Sequence, residues 1–153
     1  LGADVFGPLH WDVVPRGNVW DVAATRVTNV MTVPRVGSFA EGPQVNVLFY
    51  DGAESLRRLD ENPRAVSRPR GWSCEEIGGA MAAIGTDWSG STRLSRDEAW
   101  FTSTYGTGSL RYVSTLVTRE AVYATWQMAT ENGAQPLCLR RMAMAEATSL
   151  LGG

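Results

Sequence analysis

Three segments near the C-terminus decide the fold class: Leu110-Arg-Tyr-Val-Ser-Thr-Leu-Val117, Val122-Tyr-Ala-Thr-Trp-Gln-Met-Ala-Thr130 and Leu137-Cys-Leu-Arg-Arg-Met-Ala-Met144. Each is rich in β-branched, aromatic and long aliphatic residues, and each alternates with the period of two that marks a strand with unlike faces. Thr118-Arg119-Glu120 separates the first pair, and Glu131-Asn132-Gly133 the second. Asn-Gly suits backbone that must turn through positive φ, so the last two strands are expected to form a hairpin. Pro136 precedes the last strand, where a missing N–H is tolerated.

Upstream, the same periodicity predicts strands over Leu9–Val14, over a long and bent Val19–Val33, and over Val45–Tyr50. Pro15-Arg16-Gly17 ends the first, and Asp51-Gly52 reads as a turn that stops the third. Ala53–Leu59 and Cys74–Ile84 read as short helices, the latter with Ser73 and Glu76 spaced as a capping box and with Gly78-Gly79 weakening it. The expectation is a mainly β chain, an antiparallel sandwich or jelly-roll-like domain over 1–153. It would carry one long polar connection over 53–100 that holds the short helices. A connection of this length in a compact domain is usually functional or mobile, not structural filler.

Composition agrees with one globular domain. The chain has 153 residues, 44% of them hydrophobic and 20% charged, with a formal net charge of −2. That balance argues against a surface that everywhere tracks a phosphate backbone. No apolar run approaches the roughly 20 residues of a membrane-spanning helix. Leu1-Gly2-Ala3-Asp4 has neither the basic region nor the apolar core of a signal peptide, and the expectation is a processed chain or part of a longer one. All 14 basic residues are arginine, which a GC-rich genome explains without any functional demand.

Chemical motifs are sparse. No phosphate-binding loop, nucleophile elbow or dinucleotide fingerprint is present. His10 is the single histidine, and a dyad using it with Cys74, Cys138 or a serine has no supporting spacing. The adjacent pairs Glu75-Glu76 and Asp97-Glu98 do not place two carboxyls across a bond. Two cysteines and one histidine do not make up a usual zinc site. No catalytic residue, cofactor or metal is therefore expected. Cys74 and Cys138 would form one disulfide in a secreted chain, or stay as thiols in a reducing compartment. Arg57, Arg58, Arg64, Arg68 and Arg70 form the one local excess of charge, interrupted by Asp60 and Glu61. With Trp72 and Trp88 they make the candidate interaction surface, because a basic loop suits acidic partners and aromatic residues are enriched at interfaces. Trp11, Trp20 and Trp126 read as core or interface anchors on strands.

Five short segments in order add a resemblance. Val14-Pro15-Arg16-Gly17, Thr32-Val33-Pro34-Arg35, Phe49-Tyr50-Asp51-Gly52, Phe101-Thr102-Ser103-Thr104-Tyr105-Gly106 and Cys138-Leu139-Arg140-Arg141 resemble strand-end motifs of the picornavirus capsid protein that surrounds the five-fold axes. The match covers roughly residues 8 to 142 and corresponds to the C-terminal half of that jelly roll. The last motif lacks the family's prolines, and the front strands are not visible before Leu9. The resemblance implies a structural, non-enzymatic subunit located in a virion. Its partners would be other capsid subunits and, indirectly, the encapsidated nucleic acid. Contact with a host receptor or acidic glycan would run through the 53–100 region. Half a jelly roll leaves a sheet edge and a core face open. The rival expectations are a secreted bacterial β-domain stapled by Cys74–Cys138 that binds a ligand or partner, and a small hydrolase built on His10.

Overall fold

A computed structural model of the chain describes residues 14–53, 76–105 and 108–152. Seven strands form two antiparallel sheets, an arrangement consistent with a β sandwich. The first sheet has the order β1 (Ala24–Thr32), β2 (Val45–Ala53), β3 (Glu76–Ile84) and β4 (Thr92–Arg93). The second has the order β5 (Leu110–Val117), β6 (Ala121–Met128) and β7 (Leu137–Ala143). Hydrogen-bonded neighbours are consecutive in the chain throughout, so the described residues form two meanders. A short helix, α1 (Met144–Leu150), follows β7 directly and packs on β6 and β7.

The central strand β2 is buried on both faces, which accounts for its nearly continuous apolar run. Leu48 and Tyr50 point into a cluster with Val14, Trp20, Ile77 and Met81, while Phe49 points the opposite way to meet Ala80 and Val113. Met31, Val47, Phe101, Leu110 and Trp126 pack around the second cluster. The first sheet is thus covered on one face by the segment around Trp20 and on the other by β5.

Several expectations need correction. Cys74–Ile84 does not hold a helix: Glu76–Ile84 is strand β3, between β2 and β4. Helix propensity loses here to packing, because the small residues sit where rings press against the sheet. A Cβ on Gly78 would lie 2.9 Å from Cβ of Phe101, and one on Gly79 would lie 2.6 Å from Cζ of Tyr50. Asp51-Gly52 is not a turn, since both residues continue β2 opposite Arg26 and Thr25 of β1. The Asp51 carboxylate is satisfied across the sheets, and Gly52 leaves room for the Trp20 ring. The long Val19–Val33 strand begins only at Ala24, because Trp20 and Asp21 turn inward as buried anchors instead of extending the ladder. The last strand ends at Ala143, and its continuation is α1, which the strand pattern had not marked.

The C-terminal third matches its reading closely. β5 spans Leu110–Val117, and β6 and β7 pair as a hairpin. In the connection, Gly133 adopts φ +79° and donates its N–H to Thr130 O at 2.9 Å. Asn132 Oδ1 accepts from Thr130 Oγ1 at 2.7 Å and from the Ala134 N–H at 3.1 Å. Ala53 closes β2, and the rest of the expected Ala53–Leu59 helix, like the expected strand Leu9–Val14 up to Val14 itself, lies outside the described residues.

Candidate functional site

Among the described residues, three places hold chemistry or unpaired surface. The first is a buried polar knot beneath Trp20. The Tyr50 hydroxyl donates to Asp21 Oδ2 at 2.9 Å and lies 3.1 Å from Ser95 Oγ. Arg93 bonds the same carboxylate oxygen and the Pro15 carbonyl, and also donates to the Tyr50 oxygen at 3.1 Å. Ser95 Oγ accepts the Ala80 N–H at 3.0 Å, and the Trp20 indole N–H donates to Ser95 O at 2.8 Å. Burial pushes the Tyr50 phenol well above its ordinary value of 10.0, with the Asp21 charge adding to the rise, so the hydroxyl stays a donor. The knot ties the segment before β1 to β2, β3 and the strand region around β4. A cleft of about 600 Å³ opens beside it between Arg16, Asn18, Arg93, Arg96 and Asp97. Arg93 is already committed to the knot, so its charge serves the fold.

The second place joins the sheets. Arg26 bonds Asp51 at 2.7 Å and Glu76 at 2.8 Å, and Arg111 reaches Glu76 at 3.2 Å. Both guanidinium groups lie over the Tyr112 ring, at 4.6 Å and 5.0 Å from its centroid. Tyr112 sits where the register between β5 and β6 shifts, and it holds φ +58°. Its N–H donates to both Asp51 oxygens, at 3.1 and 3.2 Å. Burial pushes the Asp51 carboxyl above its ordinary 3.8, against the pull of Arg26 and the Tyr112 N–H. This cluster is a hinge pin between sheets, not an open site.

The third place is the far side of the second sheet. β5 lies against β1, β2 and β3, whereas β6 and β7 extend away from the first sheet, with Trp126 reaching back to the shared core. Cross-strand rows on the outer face hold Leu116, Tyr123 and Arg141, then Ser114, Thr125 and Leu139, then Gln127 and Leu137. Leu116, Leu137 and Leu139 are 62%, 74% and 68% exposed. Leu137 and Leu139 are neighbours on this face, and adjacent large exposed aliphatic groups mark an interaction surface more often than isolated ones do.

The two edges of this sheet differ in kind. β5 is an edge in the ladder, yet the Tyr112 N–H is taken by Asp51, and the Thr115 N–H by Asn29 Oδ1 at 3.1 Å. β7 has no such cover: among the described residues its strand neighbour is β6 alone. The flanking bonds Met144 N to Glu120 O and Met128 N to Pro136 O set the parity of that ladder. They place Cys138, Arg140 and Met142 as the residues that bond β6, and leave the N–H and C=O of Leu137, Leu139 and Arg141 directed outward.

Of the sequence candidates, Trp88 is half-buried against the Trp20 cluster and so serves the core. Arg57, Arg58, Arg64, Arg68, Arg70 and Trp72 lie outside the described residues, as do His10 and Cys74. Cys138 is a free thiol on β7. The surface on β7 has a signal in the sequence: Leu137, Leu139 and Arg141 fall on one side of a strand whose other side is Cys138, Arg140 and Met142. Among the described residues no three His, Cys, Asp or Glu side chains are placed to hold a metal ion, and no helix is long and apolar enough to cross a membrane. No protein-family model, no curated protein and no solved structure matches the chain.

Proposed function

We propose that the chain is a structural subunit that completes its β-sheets against sister subunits, with a role in a virus shell as the form of this that the resemblance to five-fold capsid proteins implies. The single observation that supports it is the uncovered second sheet, whose outer face presents Leu116, Leu137 and Leu139 and whose β7 edge has no neighbour among the described residues. A chain that works alone normally covers such an edge, and among the described residues only the charges of Arg140 and Arg141 guard this one. The buried polar knot and the part-exposed cluster around Arg26 spend their charges on holding strands together, which suits a rigid building block. In this reading the sheets are completed by strands of sister subunits, and the part of the 53–100 region outside β3 and β4 carries contact with a receptor or acidic glycan. The encapsidated nucleic acid is met only through the assembled shell.

Sedimentation velocity of the whole chain over a wide concentration range tests the reading. Concentration-dependent oligomers, seen as particles or rings by electron microscopy, are expected. A compact monomer at every concentration, melting in one cooperative transition, would overturn it.

A further inference from the structure

We propose that β7 pairs with β7 of a second copy of this chain, antiparallel and about a two-fold axis through Leu139, to give one continuous six-strand sheet. The inference rests on the assembly reading above and adds to it the occupant of the open edge and its register.

The argument begins with backbone parity. Leu137, Leu139 and Arg141 direct their N–H and C=O groups outward. Two such edges related by a two-fold axis bond only when outward residues meet outward residues, which requires an axis on a residue of β7. β7 offers seven such axes, one on each residue; those at Leu137, Met142 and Ala143 run most of the pairing off the strand, and side chains and strand ends choose among the other four. An axis at Arg140 sets Arg140 against its own copy, and one at Arg141 does the same for Arg141. Like charges directly opposite are unfavourable. An axis at Cys138 sets Arg141 against Gln135, which lies outside β7 and so runs the pairing off the strand.

An axis at Leu139 has none of these faults. Leu139 meets Leu139, two side chains that are each 68% exposed in the single chain. Leu137 meets Arg141, whose aliphatic stem lies along the leucine while its guanidinium stays over the Tyr123 ring. Cys138 meets Arg140 on the opposite face. Leu137, Leu139 and Arg141 all gain partners for their outward groups. The outer-face leucines of both copies then form one apolar strip across the axis. A pairing this short is weak by itself and gains strength from repetition in a larger assembly.

The register gives a covalent test. Cys138 and Arg140 of the partner form a non-hydrogen-bonded pair, with Cα atoms about 4.5 Å apart, inside the span that a disulfide bridges. Arg140→Cys is therefore expected to oxidise to a covalent dimer whose mapped peptides join position 138 to position 140. The same substitution in a Cys138→Ser background is expected to give no 140–140 bond. A 140–140 bond in that background, or a Cys138–Cys138 bond in the unsubstituted chain, places the axis elsewhere and overturns the proposal, whereas bonds through Cys74 map to their own peptides. Leu139→Pro removes an outward N–H without touching the bonds to β6, and is expected to weaken self-association by at least about tenfold. If the chain self-associates yet neither variant responds, edge pairing fails while the assembly reading stands. If Leu139→Pro abolishes assembly but Arg140→Cys gives no 138–140 bond, a different strand occupies the edge and the self-pairing is overturned. A chain that stays monomeric throughout removes both.

Discussion

Gly79 shows how one missing methyl group sets the spacing of a core. Its Cα lies under the Tyr50 ring and beside Trp20, whose rings stack at 5.5 Å between centroids. A Cβ there would come within 2.6 Å of Ser95 Oγ and of Tyr50 Cζ, and within 2.8 Å of Trp20. None of these atoms is the free end of a flexible chain, because Tyr50 and Ser95 are held in the buried polar knot. Gly79→Ala is therefore expected to destabilise the fold by about 1–3 kcal/mol, read from the urea midpoint. No loss of stability would mean that the ring stack is loose. Asp51 gives a second residue-scale prediction. Its folded pKa is raised by burial, so the native state holds the proton longer than the unfolded chain does. Stability from this group then falls as pH rises from about 4 through the raised value, and is flat beyond it. Asp51→Asn removes that slope while keeping an acceptor for the Tyr112 N–H. The unfolding free energy of the native chain minus that of the variant is expected to shrink as pH climbs from 4 to 7, and a growing gap would contradict the burial argument.

At the scale of elements, the strands differ in how their edges are closed, and that difference was half legible. The second sheet could be read almost to the residue from alternation, because β5, β6 and β7 each have unlike faces. β3 could not, because a strand buried on both faces by rings needs small residues, and Gly78, Gly79, Ala80, Ala82 and Ala83 then carry no period of two. The Asp51-Gly52 pair read as a stop because the ion pair with Arg26 and the space for Trp20 are long-range facts that no local pattern holds. Likewise the alternation of β7 is visible, but not that its outward groups lack a neighbour among the described residues, since the cover on β5 comes from side chains of other strands. Asn29 is the clearest of these. Its Oδ1 takes both the Thr115 N–H and, at 2.6 Å, the Thr115 hydroxyl. Asn29→Ala is expected to cost about 1–3 kcal/mol, while Asn29→Asp, which keeps the acceptor, is expected to recover most of it. Equal losses in both variants would show that the asparagine matters for packing and not as a cap.

Across the whole molecule, the two sheets carry unequal shares of the core. β2 and β3 are packed on both faces, and each has a bonded strand on both sides. Among the described residues β7 has a single bonded neighbour and leaves Leu137 and Leu139 exposed. Local opening should therefore be graded, with β7 separating before the first sheet unfolds. Native-state hydrogen exchange in dilute solution is expected to show the amides of β2 and β3 protected to the level of global unfolding. In β7, Cys138, Arg140 and Met142 should be moderately protected, and Leu137, Leu139 and Arg141 close to the rate of free peptide. That alternation tests the parity of the ladder independently of any dimer, since it depends only on which groups face β6. Uniform protection along β7 at low concentration would mean that its outer edge is covered within the single chain, and the building-block reading would lose its support. Raising the concentration should then slow exchange at the three outward amides selectively, because the inner three already have partners. The same rise leaving those amides unchanged would separate assembly through the outer leucines from assembly through the strand edge.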